Sequence, residues 1–351
     1  MKNCVFVLLA ALFSFFFVAC DSVENEQTGG VAAGEGVYYV LNSGDWKSNN
    51  SSLTKYDASS GNVVQGVFEL QNGRCLGNNA NDMLVYGSKM YIAVAGESTV
   101  EVTGLDAKSI AQVNCNAQPR YLAAHGGKVY ISLYDGYVAR LDTATLKVET
   151  KVAVGRNPEQ LAVVGDKLYV ANSGGMDYNT ALGYDNSVSV IDLTEFKEVK
   201  KIDVVINPAV VVPCGNSLYV ASYGDYSSVP STLQRIDIGN DAVTVVEQCS
   251  SMTEFCCKSG VLYGFFSQYD ENWVPTITYL SYDTFSGLVD SPWIKEKMLP
   301  VPYKISLAGE YLCVTSSDYI NDGDVYFYDA DGVAVAVIPA GLNPVKTVRV
   351  K

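Results

Sequence analysis

From residue 37 onward, short runs rich in Val, Ile, Leu and Tyr alternate with Gly, Asp and Asn. Such runs are too short for helices, and their alternation and β-branched content predict strands closed by turns. One phrase recurs. Gly165-Asp166-Lys167-Leu168-Tyr169-Val170-Ala171 returns as Gly87-Ser88-Lys89-Met90-Tyr91-Ile92-Ala93, Gly127-Lys128-Val129-Tyr130-Ile131 and Asn216-Ser217-Leu218-Tyr219-Val220-Ala221, and more weakly as Gly260-Val261-Leu262-Tyr263. Tyr39 opens the series and Cys313 closes it, making seven occurrences. Each is followed by an apolar residue and an aspartate: Asp57, Asp106, Asp142, Asp192, Asp237, Asp283 and Asp329. A carboxylate at the end of a strand can cap the N–H groups of the next turn, so these aspartates read as structural. Pro119, Pro158, Pro208 and Pro302 stand eleven residues before the tyrosine position, where a strand can begin without losing a ladder N–H.

Each unit then holds four strands and repeats at about 45 residues, the pattern of propeller blades. The chain enters at a second strand, Val37–Leu41, and ends on Asn343-Pro344-Val345-Lys346-Thr347-Val348-Arg349-Val350, a first strand with nothing after it. The expectation is an all-β, seven-bladed β-propeller over 37–351, closed by a C-terminal strand that completes the first blade and hides the edges.

The residues before 37 read differently. Lys2 followed by an apolar stretch from Val5 to Val18 predicts a signal peptide over 1–19. Phe17-Val18-Ala19-Cys20 resembles the lipobox of bacterial lipoproteins, which implies acylation at Cys20 and an anchor without a transmembrane helix. Residues 20–36, acidic and then rich in Gly and Ala, read as a flexible tether, and the acidic run resembles the surface-export signal of Bacteroidetes lipoproteins. Lys and Arg number 24 against 38 Asp and Glu, which argues against nucleic acid or anionic lipid as partner. Beyond Cys20, the cysteines are Cys75, Cys115, Cys214, Cys249, Cys256, Cys257 and Cys313, an irregular set that makes no disulfide framework. Most read as small buried hydrophobes, with Cys249 and Cys256 one pair that could oxidise.

Candidate chemistry is sparse. His125, the single histidine, falls in a tight turn, so no His-based metal set or Ser–His pair is available. No phosphate loop or cofactor motif is present, and nothing separates an acid pair from solvated loop carboxylates. The sequence therefore points to a binder rather than an enzyme. Loop length says where. From the tyrosine position to the aspartate, the third unit takes twelve residues, whereas the first takes eighteen, the fourth twenty-three, the fifth eighteen and the sixth twenty. The extra residues fall between second and third strands, on the face that also carries the links between blades, and insertions gathered on one face mark a binding face. These loops carry Trp46, Tyr178, Tyr184, Tyr223, Tyr226, Tyr269, Trp273 and Tyr319. The links add Arg74, Asn78, Asn79, Arg120, Arg156, Asn157 and Asn207. Rings with amides and arginines between them suit a large, amphipathic, mostly uncharged ligand.

Gly155-Arg156-Asn157-Pro158, Leu168-Tyr169-Val170-Ala171-Asn172 and Val190-Ile191-Asp192 resemble the YncE/YVTN-type propeller repeats of bacterial surface proteins. Together with the lipobox, Tyr39-Val40-Leu41-Asn42-Ser43-Gly44, Asn79-Ala80-Asn81-Asp82-Met83, Gln118-Pro119-Arg120-Tyr121-Leu122 and Asn172-Ser173-Gly174-Gly175 resemble the Bacteroidetes surface lipoproteins that capture cobalamin (vitamin B12). Those proteins hand it to a TonB-dependent outer-membrane transporter. The resemblance implies an outer-membrane, surface-exposed lipoprotein with cobalamin across the axial opening, the loop rings packing it and Arg120, Arg156, Asn157 and Asn207 bonding its amides and phosphate. A glycan- or protein-binding propeller could use the same face, and an enzyme would require a metal held there by loop carboxylates.

Overall fold

The computed structural model describes residues 27–29, 34–272, 274–299 and 301–351. The chain folds into seven antiparallel sheets arranged as the blades of a β-propeller. Blade 4 shows the plan: Pro158–Val164 lies innermost, followed outward by Lys167–Asn172, Ser187–Asp192 and Lys197–Asp203. Sheets packed face to face cover a middle strand on both sides, so Lys167–Asn172 is buried at every residue but Lys167. The outermost strand has only one neighbour, and it is mostly exposed and lysine-rich, a composition that blunts edge-to-edge pairing.

The remaining innermost strands are Ala80–Tyr86, Pro119–His125, Pro208–Cys214, Glu254–Lys258 and Pro302–Ala308, in blades 2, 3, 5, 6 and 7. Blade 1 takes its innermost strand from the C-terminus: Pro344–Arg349 pairs antiparallel with Val37–Asn42, setting Tyr39 opposite Val348. Adjacent innermost strands touch all round the ring. Seven apolar clusters fill the junctions between blades, each built around second-strand side chains such as Tyr39, Tyr91, Tyr169 and Tyr219. Burying a side chain of this size stabilises by about 1.5–3 kcal/mol, so closure rests on these junctions.

The turn aspartates do what their position implies. In every blade the carboxylate following the third strand accepts N–H groups of the next turn, as Asp192 Oδ1 does from Thr194 and Glu195 at 2.8 and 2.9 Å. These turns form the lower face. His125 also sits there, exposed at the end of its strand.

Four features depart from the regular plan. Gln27–Gly29, within the segment expected as tether, pairs with Asn62–Val64 as a fifth strand on the outer edge of blade 1. A short helix, Val67–Asn72, links blades 1 and 2. In blade 6 the long interval becomes longer strands rather than a long loop. Val261–Tyr269 and Pro275–Asp283 run nine residues each, carried by alternating β-formers such as Phe265, Ile277 and Tyr279. Cysteine pairing also differs from expectation: Cys214 bonds Cys257 and staples the innermost strands of blades 5 and 6, while Cys249 and Cys256 are buried thiols. Their strands decide this, since Cys214 ends one innermost strand and Cys257 stands one residue from the end of the next, whereas Cys249 lies in the link before blade 6. Among the described residues no helix is long and apolar enough to cross a membrane.

Candidate binding face and axial cavity

The upper face carries the links between blades and the loops between second and third strands. At its centre a cavity of about 280 Å³ opens along the axis, lined by residues of every blade. Its wall is a ring at one level: Lys346, Asp82, Tyr121, Gln160, Val210, Glu254 and Lys304, from blades 1 to 7 in order. In blades 2 to 7 each is the residue nine before the tyrosine marker, and Lys346 takes the matching place in blade 1, two after the first residue of its strand. In most blades the innermost strand breaks register with its neighbour just here, as between Pro158 and Leu161 or Pro302 and Ile305. A bulge of this kind re-aims a side chain, here toward the axis.

Ion pairs bridge neighbouring blades around this ring. Arg120 donates from Nε and Nη2 to Glu159 Oε2 at 3.1 and 3.0 Å and from Nη1 to Asn81 Oδ1, and it lies 4.4 Å from the Tyr134 ring centroid. Tyr134 donates to the other Glu159 oxygen at 2.7 Å. Lys304 binds Glu254 Oε1, which also accepts the Tyr223 hydroxyl at 2.9 Å. Lys346 stands 3.7 Å from Asp82, whose second oxygen accepts the Leu122 N–H. Burial opposes charge on Lys304, but Glu254 and the tyrosines Tyr223 and Tyr121 outweigh it and hold its ammonium well above the ordinary lysine range. Burial pushes the Asp82 carboxyl up, partly offset by Lys346, and pushes the Tyr121 phenol up to about 12.

The rim is aromatic. Trp46 is 68 % exposed and lines the mouth. Tyr178 stacks on Tyr184 at 6.4 Å between centroids, and Tyr184 meets Tyr226 edge-on at 6.5 Å. Tyr178 and Tyr226 remain 61 and 73 % exposed, beside exposed Met176 and Leu182. Across the mouth, Tyr319, 67 % exposed, meets Tyr303 edge-on. A second, shallower cleft of about 400 Å³ lies between blades 3 and 4, lined by Tyr134, Tyr137, Arg156, Asn157 and Asp177 among others.

Other expected site residues are committed to the scaffold. Arg74 grips both oxygens of buried Glu101 at 2.8 and 2.9 Å and covers Phe68, on the outer side of the junction between blades 1 and 2. Arg156 binds Asp177 Oδ2 and the Gly183 carbonyl, each at 2.8 Å, and so folds the long insert of blade 4. Asn79, Asn157 and Asn207, with Asn343, hold left-handed backbone just before an innermost strand, a conformation asparagine tolerates well. Their amides tie the upper loops. Asn157 donates to the Tyr134 carbonyl and accepts the Met176 N–H, Asn207 donates to the Gly224 carbonyl, and Asn79 accepts the Ser43 hydroxyl while lining the cavity. Asn78 donates to the Trp46 carbonyl at 3.1 Å. Tyr223 is turned inward onto Glu254. Tyr269 ends the second strand of blade 6, and Trp273 and Cys20 lie outside the described residues.

Among the described residues no group of three or more His, Cys, Asp and Glu converges to hold a metal. What the arrangement offers is an apolar, aromatic rim around a polar axial pocket.

The fold is shared widely. Hydrazine synthase of Kuenenia stuttgartiensis superposes with a TM-score of 0.57 at 19 % identity, covering 70 % of this chain and 74 % of that one. The computationally designed Ika8 protein superposes with a TM-score of 0.59 at 10 % identity, covering 91 and 92 %. At such identities the likeness is one of fold alone. No curated protein matches the sequence. The family model described as a domain of unknown function, DUF5074, matches residues 35–279, most of the propeller, and the chain belongs to that family.

Proposed function

We propose that this protein is a lipid-anchored surface binder that holds a large, amphipathic, mostly uncharged molecule across the upper mouth. We propose cobalamin as that molecule, for delivery to a TonB-dependent outer-membrane transporter. One observation carries the reading: Trp46, Tyr178, Tyr226 and Tyr319 stay exposed around one opening, although aromatic rings gain most by burial. The cavity, at about 280 Å³, falls below the ~300–1,000 Å³ that encloses a whole ligand. A large molecule therefore lies over the mouth and sends at most one group into it. Arg120 and Arg156 are already paired, which disfavours a polyanion. The lipobox and motif resemblances supply the anchor, the ligand and the transporter.

The test is direct. Protein incubated with cyanocobalamin and then desalted retains the red colour, and Trp46→Ala loses most of it. A colourless wild-type protein would reject the ligand. A glycan reading is favoured by one feature, the nearly parallel Tyr178–Tyr184 pair, whose exposed Tyr178 ring could stack a sugar face; glycan-array binding by that colourless protein would establish it. Anchoring is checked separately, by whether Cys20→Ala moves the protein from the membrane to the soluble fraction.

A further inference from the structure

We infer that the axial cavity is a subsite for a single acceptor-rich anionic group, a carboxylate or a phosphate. The inference deepens the reading of the upper face as a binding face and rests on it for the ligand's approach, though not on the ligand being cobalamin. The lining cations are paired one for one, Lys304 with Glu254, Lys346 with Asp82, and Arg120 with Glu159, which does not itself line the cavity. The cavity thus carries no excess of negative charge, in a chain whose formal net charge is −14.

Hydrogen bonding inside the cavity is one-sided. Most lining acceptors already take a donor: Gln160 Oε1 takes the Val211 N–H at 3.0 Å, Asn79 Oδ1 takes the Ser43 hydroxyl, and Glu254 Oε1 takes both Tyr223 and Lys304, while Glu254 Oε2 takes none among the described residues. Asp82 is occupied by the Leu122 N–H and by Lys346. The donors are not. Gln160 Nε2, Asn79 Nδ2 and the hydroxyls of Tyr121 and Tyr303 make no bond among the described residues, and Lys346 has only its 3.7 Å ion pair. A pocket whose open donors outnumber its open acceptors favours a group that accepts everywhere and donates nowhere, as carboxylate and phosphate do. Because the ring is built from separate innermost strands tied to one another, the donors are held in place before a ligand arrives.

The test uses the mature chain and three salts at equal ionic strength and pH: sodium chloride, sodium acetate and sodium phosphate. A ligand that binds only the folded state raises the melting temperature saturably. Phosphate or acetate should do so relative to chloride, and Tyr121→Phe with Tyr303→Phe should weaken that anion's affinity about tenfold or more. Lys346→Gln should act in the same direction; because it also leaves Asp82 unpaired, the two phenylalanine changes, which remove only hydroxyls, decide the case. Identical melting in all three salts overturns the inference, as does an anion effect unchanged in the phenylalanine variant. Failure of the cobalamin reading looks different: the anion effect and its loss in the variant persist while the desalted protein stays colourless. Phosphate that weakens the binding of a larger ligand in competition places that ligand's own anionic group in the subsite. Phosphate that binds without competing marks a free anion as the occupant.

Discussion

The lower face of the ring repeats one turn in every blade, with an aspartate capping it, whereas the upper face repeats its anchors but not its loops. Between second and third strands blade 3 has only residues 134–136, while blade 4 carries 173–186. On both faces the recurring polar residues serve the backbone. Asn79, Asn157, Asn207 and Asn343 are to the upper loops what the aspartates are to the lower turns. Trp46, Tyr178, Tyr226 and Tyr319 break recurrence, and all four are exposed. At the axis both kinds meet: the position recurs in every blade, but its occupant changes from Lys to Asp, Tyr, Gln, Val and Glu. Four of its seven occupants, Lys346, Asp82, Glu254 and Lys304, tie neighbouring blades by ion pairs.

The contrast can be broken most forcefully at the axis. Arg120→Ala leaves Glu159 buried without its partner and should cost about 3–5 kcal/mol in urea unfolding. Next, Tyr178→Ala combined with Tyr226→Ala should weaken ligand binding about thirtyfold in calorimetry, the size of a modest hot-spot loss, while shifting stability by no more than about 0.5 kcal/mol. An equal loss of stability would make the rings scaffold. Third, Asn157→Ala and Asp192→Ala should each lower stability by about 1 kcal/mol, with Asn157→Gly milder because glycine accepts the left-handed backbone. If Asn157→Ala instead spared stability and abolished binding, the amide would belong to the ligand.

The smallest effect is on pH. Hydrogen bonds accepted from the Ser228 hydroxyl and loop N–H groups hold Asp225 at about 2, and those accepted from the Asn321 N–H and side-chain amide and the Ile320 N–H hold Asp318 there too, from an ordinary 3.8. Because the folded pKa lies below the unfolded one, the unfolded chain binds more protons between these values, and stability falls as pH drops from about 4 to about 2. Asparagine at both positions keeps the turn contacts and should flatten that slope in acid titrations followed by circular dichroism. Asp82, pushed the other way by burial, contributes the opposite sign.

The fold was legible because its markers recur in every blade and its two ends supply complementary strands of blade 1. Loop position was legible too, since chain length between markers is a direct count. Partners were not. Arg74 meets Glu101 across 27 residues, and Arg120 meets Glu159 across 39, and nothing in either stretch announces the other. Glu159, Glu254, Lys304 and Lys346 escaped because an isolated charge in an apolar strand looks like an exposed face until the blades are set around an axis. Asn79, Asn157 and Asn207 were legible in principle: they recur just as the aspartates do, and the same reasoning makes them structural.

The central claim is that the upper face, and not the lower, holds the ligand. The deciding measurement is a calorimetric titration of cyanocobalamin into the wild type and two variants. One carries Trp46→Ala, Tyr178→Ala and Tyr226→Ala; the other carries Phe285→Ala and Leu288→Ala, rings and chains equally exposed on a lower turn of blade 6. Binding is expected of the wild type and the lower-face variant, and little or none of the upper-face variant. Binding that survives in the upper-face variant and vanishes in the lower-face one would contradict it.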